Sequence, residues 1–172
     1  MVSTSKKAEK VVKNSDIKAP DTDGAKIECV LKGKLKEKDI PLPGMKKKQI
    51  EYKKRPKAER EKLRNKFQTQ RKHFLKDLAN SPDKVKQLKK AGLSDIDLEI
   101  MRNEKVPEGF QVHHKLPLDD GGDNSFDNLV LIKNHPYHKA LTNLQNDLTK
   151  GMSAGDTRTF EWPVPEGFIY PP

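Results

Sequence analysis

Val112-His113-His114-Lys115-Leu116-Pro117-Leu118-Asp119-Asp120-Gly121-Gly122 decides how this chain is read. An apolar run ends in two adjacent histidines, two of the five in the protein, and leads into an Asp-Asp-Gly-Gly turn. Asn128-Leu129-Val130-Leu131-Ile132 follows, and then His135 and His138. The pattern predicts a strand over 109–114, a long turn over 119–124 and a second strand over 129–132. A helix follows from about 136 to 150, with Gly151 as its stop. Pro136 fits the first turn of that helix, where a missing N–H costs nothing.

Working outward, Leu63, Phe67, Phe74 and Leu78 recur at helical spacing and predict a long helix over 56–80. Its other faces carry Arg60, Arg64, Lys66, Arg71, Lys72 and Lys76, which either track a nucleic-acid backbone or are simply solvated. His73, beside the apolar stripe, reads as a solvated or capping residue. Ser81-Pro82 opens a second helix that Gly92 ends, and Ser94-Asp95-Ile96-Asp97 opens a third that stops before Pro107. Ile27 to Leu31 reads as a short strand, and 34–48 as irregular, punctuated by Pro41 and Pro43. The tail, with Phe160, Trp162, Phe168 and Tyr170 among several prolines, is expected to pack back over the core as an extended segment. The expected class is α+β. Its expected parts are a flexible basic arm or linker over 1–20, an irregular basic segment over 21–55, a helical basic region over 56–106, and a compact module with the extended tail over 107–172.

Of the 172 residues, 33% are hydrophobic and 35% charged, which argues against one compact domain filling the whole length. No run approaches the roughly 18 apolar residues of a membrane span. Met1-Val2-Ser3-Thr4-Ser5-Lys6-Lys7 lacks the apolar core of a signal peptide, so export would need a dedicated machine or a larger carrier. Cys29 is the single cysteine, which excludes an internal disulfide and a cysteine-based zinc knuckle. The net charge of +10 is uneven: residues 1–106 hold 30 Lys and Arg against 16 Asp and Glu, whereas 107–172 hold 5 against 9. A basic arm beside a histidine motif favours nucleic acid as the partner; charge alone would fit a solubilising surface equally well.

The motif supplies a general base, an orienting amide and imidazole metal ligands within one supersecondary unit, the parts that hydrolyse a phosphodiester with one metal ion. Residues 109–146 resemble the HNH nucleases, the ββα-metal fold, and within them the colicin-type DNases and the nuclease domains of bacterial polymorphic toxins. The resemblance implies an α+β chain in which a basic helical region precedes a ββα-metal module. It implies a metal-dependent DNA endonuclease of low sequence specificity. His114 would be the base, with Asn128 fixing the turn, although an Asx turn at Asp127-Asn128 is the plainer reading. His113 and His138 would hold one divalent ion (Mg²⁺, Zn²⁺ or Ni²⁺), and His135, which can share a helix face with His138, would be a third ligand. Adjacent strand residues point to opposite faces, so His113 and His114 serve one site only if the chain bends between them. Arg64, Arg71, Lys72 and Lys115 are the candidate DNA contacts.

The same resemblance implies the toxic C-terminal module of a bacterial effector, delivered without a signal peptide into a target cell's cytoplasm and neutralised by a cognate, often acidic, immunity protein. Competing readings are a phage, restriction or homing endonuclease, an RNase of the same fold, and a non-catalytic nucleic-acid-binding protein with a structural zinc. The last would normally need cysteine ligands, and Cys29 is far from the motif in sequence.

Overall fold

The computed structural model describes residues 31–35, 38–118 and 122–172. The expected arm over 1–20, most of the expected strand at 27–31, and Asp119, Asp120 and Gly121 of the turn lie outside the described residues.

Strand β5 (Leu129–Lys133) is the spine of an α+β fold. For consistent numbering in chain order, β1 is Leu31–Leu35, β2 is Lys38–Leu42, β3 is Lys46–Lys53 and β4 is Phe110–His114; β6 is Thr157–Val164 and β7 is Ile169–Tyr170. The helices are α1 (Lys57–Asn80), α2 (Pro82–Lys90), α3 (Asp95–Arg102) and α4 (Lys139–Leu148). Leu129, Val130, Leu131 and Ile132 are all fully buried. Such an unbroken apolar run belongs to a strand covered on both faces. Val130 and Ile132 enter a core with Leu42, Ile50, Leu141, Leu144 and Trp162. Leu129 and Leu131 enter a second core with Phe74, Leu78, Leu88, Leu98 and Met101. The first core joins β3, β6 and α4 to the sheet; the second joins the three upstream helices to it.

β5 pairs antiparallel with β4 and parallel with the short β7, giving the order β4-β5-β7. β4 is therefore an edge strand among the described residues. It pairs regularly over its whole length, with Val112 opposite Leu131, His113 opposite Val130 and His114 opposite Leu129.

The upstream helices form as expected. Ser94 closes a capping box on α3: its hydroxyl accepts from the Asp97 N–H (3.1 Å) and its own N–H donates to the Asp97 carboxylate (2.9 Å). Ser81 stands at the N-cap position of α2, but its hydroxyl donates back to the Asp77 carbonyl (2.8 Å) instead of capping. His73 is exposed on α1.

The segment expected to be irregular is not. β1 and β2 form an antiparallel hairpin, and β3 pairs with β6 along its full length. Only Ile50 and Tyr52 of Lys-Lys-Lys-Gln-Ile-Glu-Tyr-Lys turn inward in β3, so its alternation is short and its flanks are charged. Its partner lies at the other end of the chain, and such a pairing leaves no local signal. Elements from both sides of 106/107 share both cores.

The tail does pack back, as β6 and β7. Trp162 is fully buried, and its Nε1–H donates to the Lys115 carbonyl (2.9 Å), the residue after the paired histidines. Replacing Trp162 with Ala removes the largest fully buried side chain and orphans that carbonyl. We expect Trp162→Ala to lower unfolding free energy by about 3–5 kcal/mol, measured by chemical denaturation. A loss below about 1 kcal/mol would contradict this placement of the tail.

Candidate active site

Because successive residues of β4 alternate, His113 lies on the face of α4 and His114 on the face of α1. No bend separates them, contrary to the expectation from sequence. Instead, both faces of the edge strand open around its free side into one cleft of about 320 Å³. His113, His114 and His138 line it together with Arg60, Arg64 and Gln68 of α1.

His113 and His138 meet edge to face, with ring centroids 5.4 Å apart. The His113 Nε2 is buried and has no hydrogen-bond partner among the described residues. Burial, reinforced by the neighbouring His138 and His114, pushes the His113 imidazole down to about 3. Burial also lowers His138. Both rings are therefore neutral, the form that binds a metal.

His135 is exposed, has extended backbone (φ −114°, ψ 128°) and does not line the cleft. It precedes the helix proper, since 134–138 form a wide turn that hands over to α4 at Lys139. No group of three or more His, Cys, Asp or Glu side chains converges among the described residues. Among the described residues, the imidazoles of His113 and His138 are the pair that could hold a metal ion.

His114 is held differently. Its Nε2 lies 2.8 Å from the Asn124 Oδ1, and its ring packs on Phe67 of α1 at 4.4 Å between centroids. Burial lowers its pKa, opposed by the Asn124 hydrogen bond and by Asp123 and assisted by Arg64.

Asn128 is wholly committed to the turn. Its Oδ1 accepts from the Leu116 N–H (2.9 Å), and its Nδ2 donates to the carbonyls of Leu116 (3.1 Å) and Asp123 (2.8 Å). Its own carbonyl accepts from the Lys115 N–H (2.7 Å). Gly122 closes the same turn: a Cβ there would stand 2.2 Å from the Leu116 oxygen and 2.5 Å from that of Pro117, so only glycine fits. Arg55 clamps the turn from outside, donating to the carbonyls of Leu118 and Gly122.

Of the expected DNA contacts, only Arg64 lines the cleft. Arg71 and Lys72 lie farther along α1, with Arg71 donating to Gln68 (3.0 Å). Lys115 borders a separate cavity with Phe74, Phe126 and Phe168. Sequence reasoning missed Arg60 as a cleft residue, along with Gln68, Gln145, Arg55 and Asn124. Arg60, Arg64 and Gln68 are four residues apart, a spacing that puts them on one helix face. Arg55 and Asn124 left no such trace.

The chain is 43% identical over 141 residues to the uncharacterized protein YhhZ of Escherichia coli (strain K12), covering 81% of this chain and 35% of that protein. It thus spans about a third of the length of the curated relative it matches. No family model and no solved structure matches it. No helix among the described residues is long and apolar enough to cross a membrane.

The three side-chain hydrogen bonds of Asn128 are worth about 0.5–1.5 kcal/mol each. Asn128→Ala should therefore lower stability by roughly 1.5–4 kcal/mol in urea unfolding. A change under about 0.5 kcal/mol would show that the turn holds its shape without this amide.

Proposed function

We propose that this chain is a metal-dependent nuclease of the HNH kind that hydrolyses phosphodiester bonds of DNA. The observation that carries the reading is one cleft in which His113, its Nε2 buried and without a hydrogen-bond partner among the described residues, faces His138 while His114 is held on the other face of the same strand. Arg60 and Arg64 give that cleft a cationic wall suited to a polyanion.

His113 and His138 would hold the ion. When bound, a divalent cation neutralises charge on the scissile phosphate and on the leaving oxygen. His114, neutral at physiological pH because burial lowers it, takes one proton from a water as that water's oxygen attacks phosphorus. The phosphorus–oxygen ester bond breaks, and the leaving oxygen is protonated from solvent. Asn128 holds the turn that follows the base, and Arg60 and Arg64 draw in the phosphates. A closed structural zinc site takes four protein ligands, and no such set converges among the described residues, which supports an open, reactive centre.

We further propose that the chain serves as a nuclease module of a bacterial effector, restrained by an immunity protein of acidic surface and acting in the cytoplasm of a target cell. Its match to about a third of a longer bacterial protein supports a module carried on a larger polypeptide.

Plasmid cleavage by the purified chain tests the chemistry. With Mg²⁺, Zn²⁺ or Ni²⁺ supplied, supercoiled DNA should be nicked, and a chelator should stop it. His114→Ala should lower the rate about 10²–10⁴-fold. Cleavage that persists in chelator, or an unimpaired His114→Ala, would sink the reading; preferential cutting of RNA in parallel assays would move the substrate. Arg64→Ala should lower the slope of log affinity against log salt by about 0.9, the loss of one phosphate contact. An unchanged slope would remove Arg64 from the DNA path.

A further inference from the structure

We propose that Asn124 is the positioning residue for the general base, and that through it helix α1 sets which nitrogen of His114 is free to take a proton. The proposal rests on the nuclease reading above.

The Asn124 amide is used at both ends. Its Nδ2 donates to the Leu63 carbonyl of α1 (3.0 Å), and its Oδ1 faces the His114 Nε2 (2.8 Å). A carbonyl can only accept, so it fixes which end of the amide is the nitrogen. The amide oxygen can likewise only accept, so Nε2 must carry hydrogen. In the neutral imidazole this leaves the lone pair on Nδ1. Phe67, one turn beyond Leu63, packs against the same ring at 4.4 Å. One helix thus fixes the base twice, by packing and through an amide that dictates its tautomer.

Asn128 cannot take this task, because both ends of its amide are spent on the backbone of Leu116 and Asp123. The two asparagines divide the work: one shapes the turn, the other orients the base. The metal pair lies on the opposite face of β4, so disturbing Asn124 should leave it intact.

The test compares Asn124→Leu and Asn124→Asp in the full 172-residue chain. Leucine is close in size and accepts nothing. Aspartate still accepts from the His114 Nε2–H but sets a carboxylate against the Leu63 carbonyl. We expect Asn124→Leu to lower kcat about 10–100-fold, with KM and Zn²⁺ affinity unchanged. Asn124→Asp should keep kcat near wild type while its melting temperature falls. A merely structural tie to Leu63 predicts the reverse order, with Asp at least as impaired as Leu. Nitrogen-15 NMR of the imidazole at mildly alkaline pH should show the Nε2–H tautomer at His114 in wild type and its loss in Asn124→Leu.

An Nδ1–H tautomer in wild type, or a wild-type kcat in a folded Asn124→Leu, overturns the positioning role alone. A wild-type chain that cuts no nucleic acid overturns the nuclease reading and this role together. If Asn124→Leu does not fold, the activity of Asn124→Asp decides: near wild type supports the role, and a loss as large as that expected for Leu overturns it.

Discussion

The site depends on the alternation of one edge strand. β4 is locked in register by β5, and β5 is locked by two cores that press on its opposite faces. With the register fixed, His113 can only face α4 and His114 can only face α1. A slip of one residue would exchange them, and the proposed metal pair and proposed base would both be lost. Among the described residues β4 has no strand on its outer side, and adjacent histidines line one cleft without a bend in the backbone.

The fold carries a cost at this point. The His113 Nε2 is buried and has no hydrogen-bond partner among the described residues, and a buried polar atom left so costs about 1–3 kcal/mol unless water or a ligand meets it. Two of the largest buried side chains place their polar atoms on carbonyls: the Trp162 indole reaches Lys115, and the Tyr170 hydroxyl donates to the Pro43 carbonyl (2.7 Å). An orphan nitrogen beside a second neutral imidazole, in a cleft with an arginine wall, is what a cation would relieve. The same burial that penalises the charged imidazole keeps it available as a ligand. On the opposite face of the strand, where the proposed base lies, an amide occupies one ring nitrogen of His114 and leaves the other.

The motif itself was legible in the sequence because it is local. Strand, histidine pair, glycine turn, asparagine, apolar strand and helix follow in order, and each has its own residue signature. The helices before it were legible from their period and caps. The β3–β6 pairing was not: β3 turns only two apolar side chains inward, and its partner is remote. His135 looked like a ligand by spacing, yet its extended backbone sets it outside the helix that carries His138. Asn124 falls within the stretch read only as a turn, and Arg55 carries no local signal, because their partners on α1 and across the turn are far away in sequence.

The central claim is that His113 and His138, brought together from a strand end and a helix start, form the seat of one divalent ion. Calorimetric titration of Zn²⁺ or Ni²⁺ into the wild-type chain and into His113→Ala, His138→Ala and His135→Ala tests it most directly. The account predicts one ion per chain, lost or greatly weakened in the first two variants and kept in the third. Binding that survives unchanged in both His113→Ala and His138→Ala would contradict it.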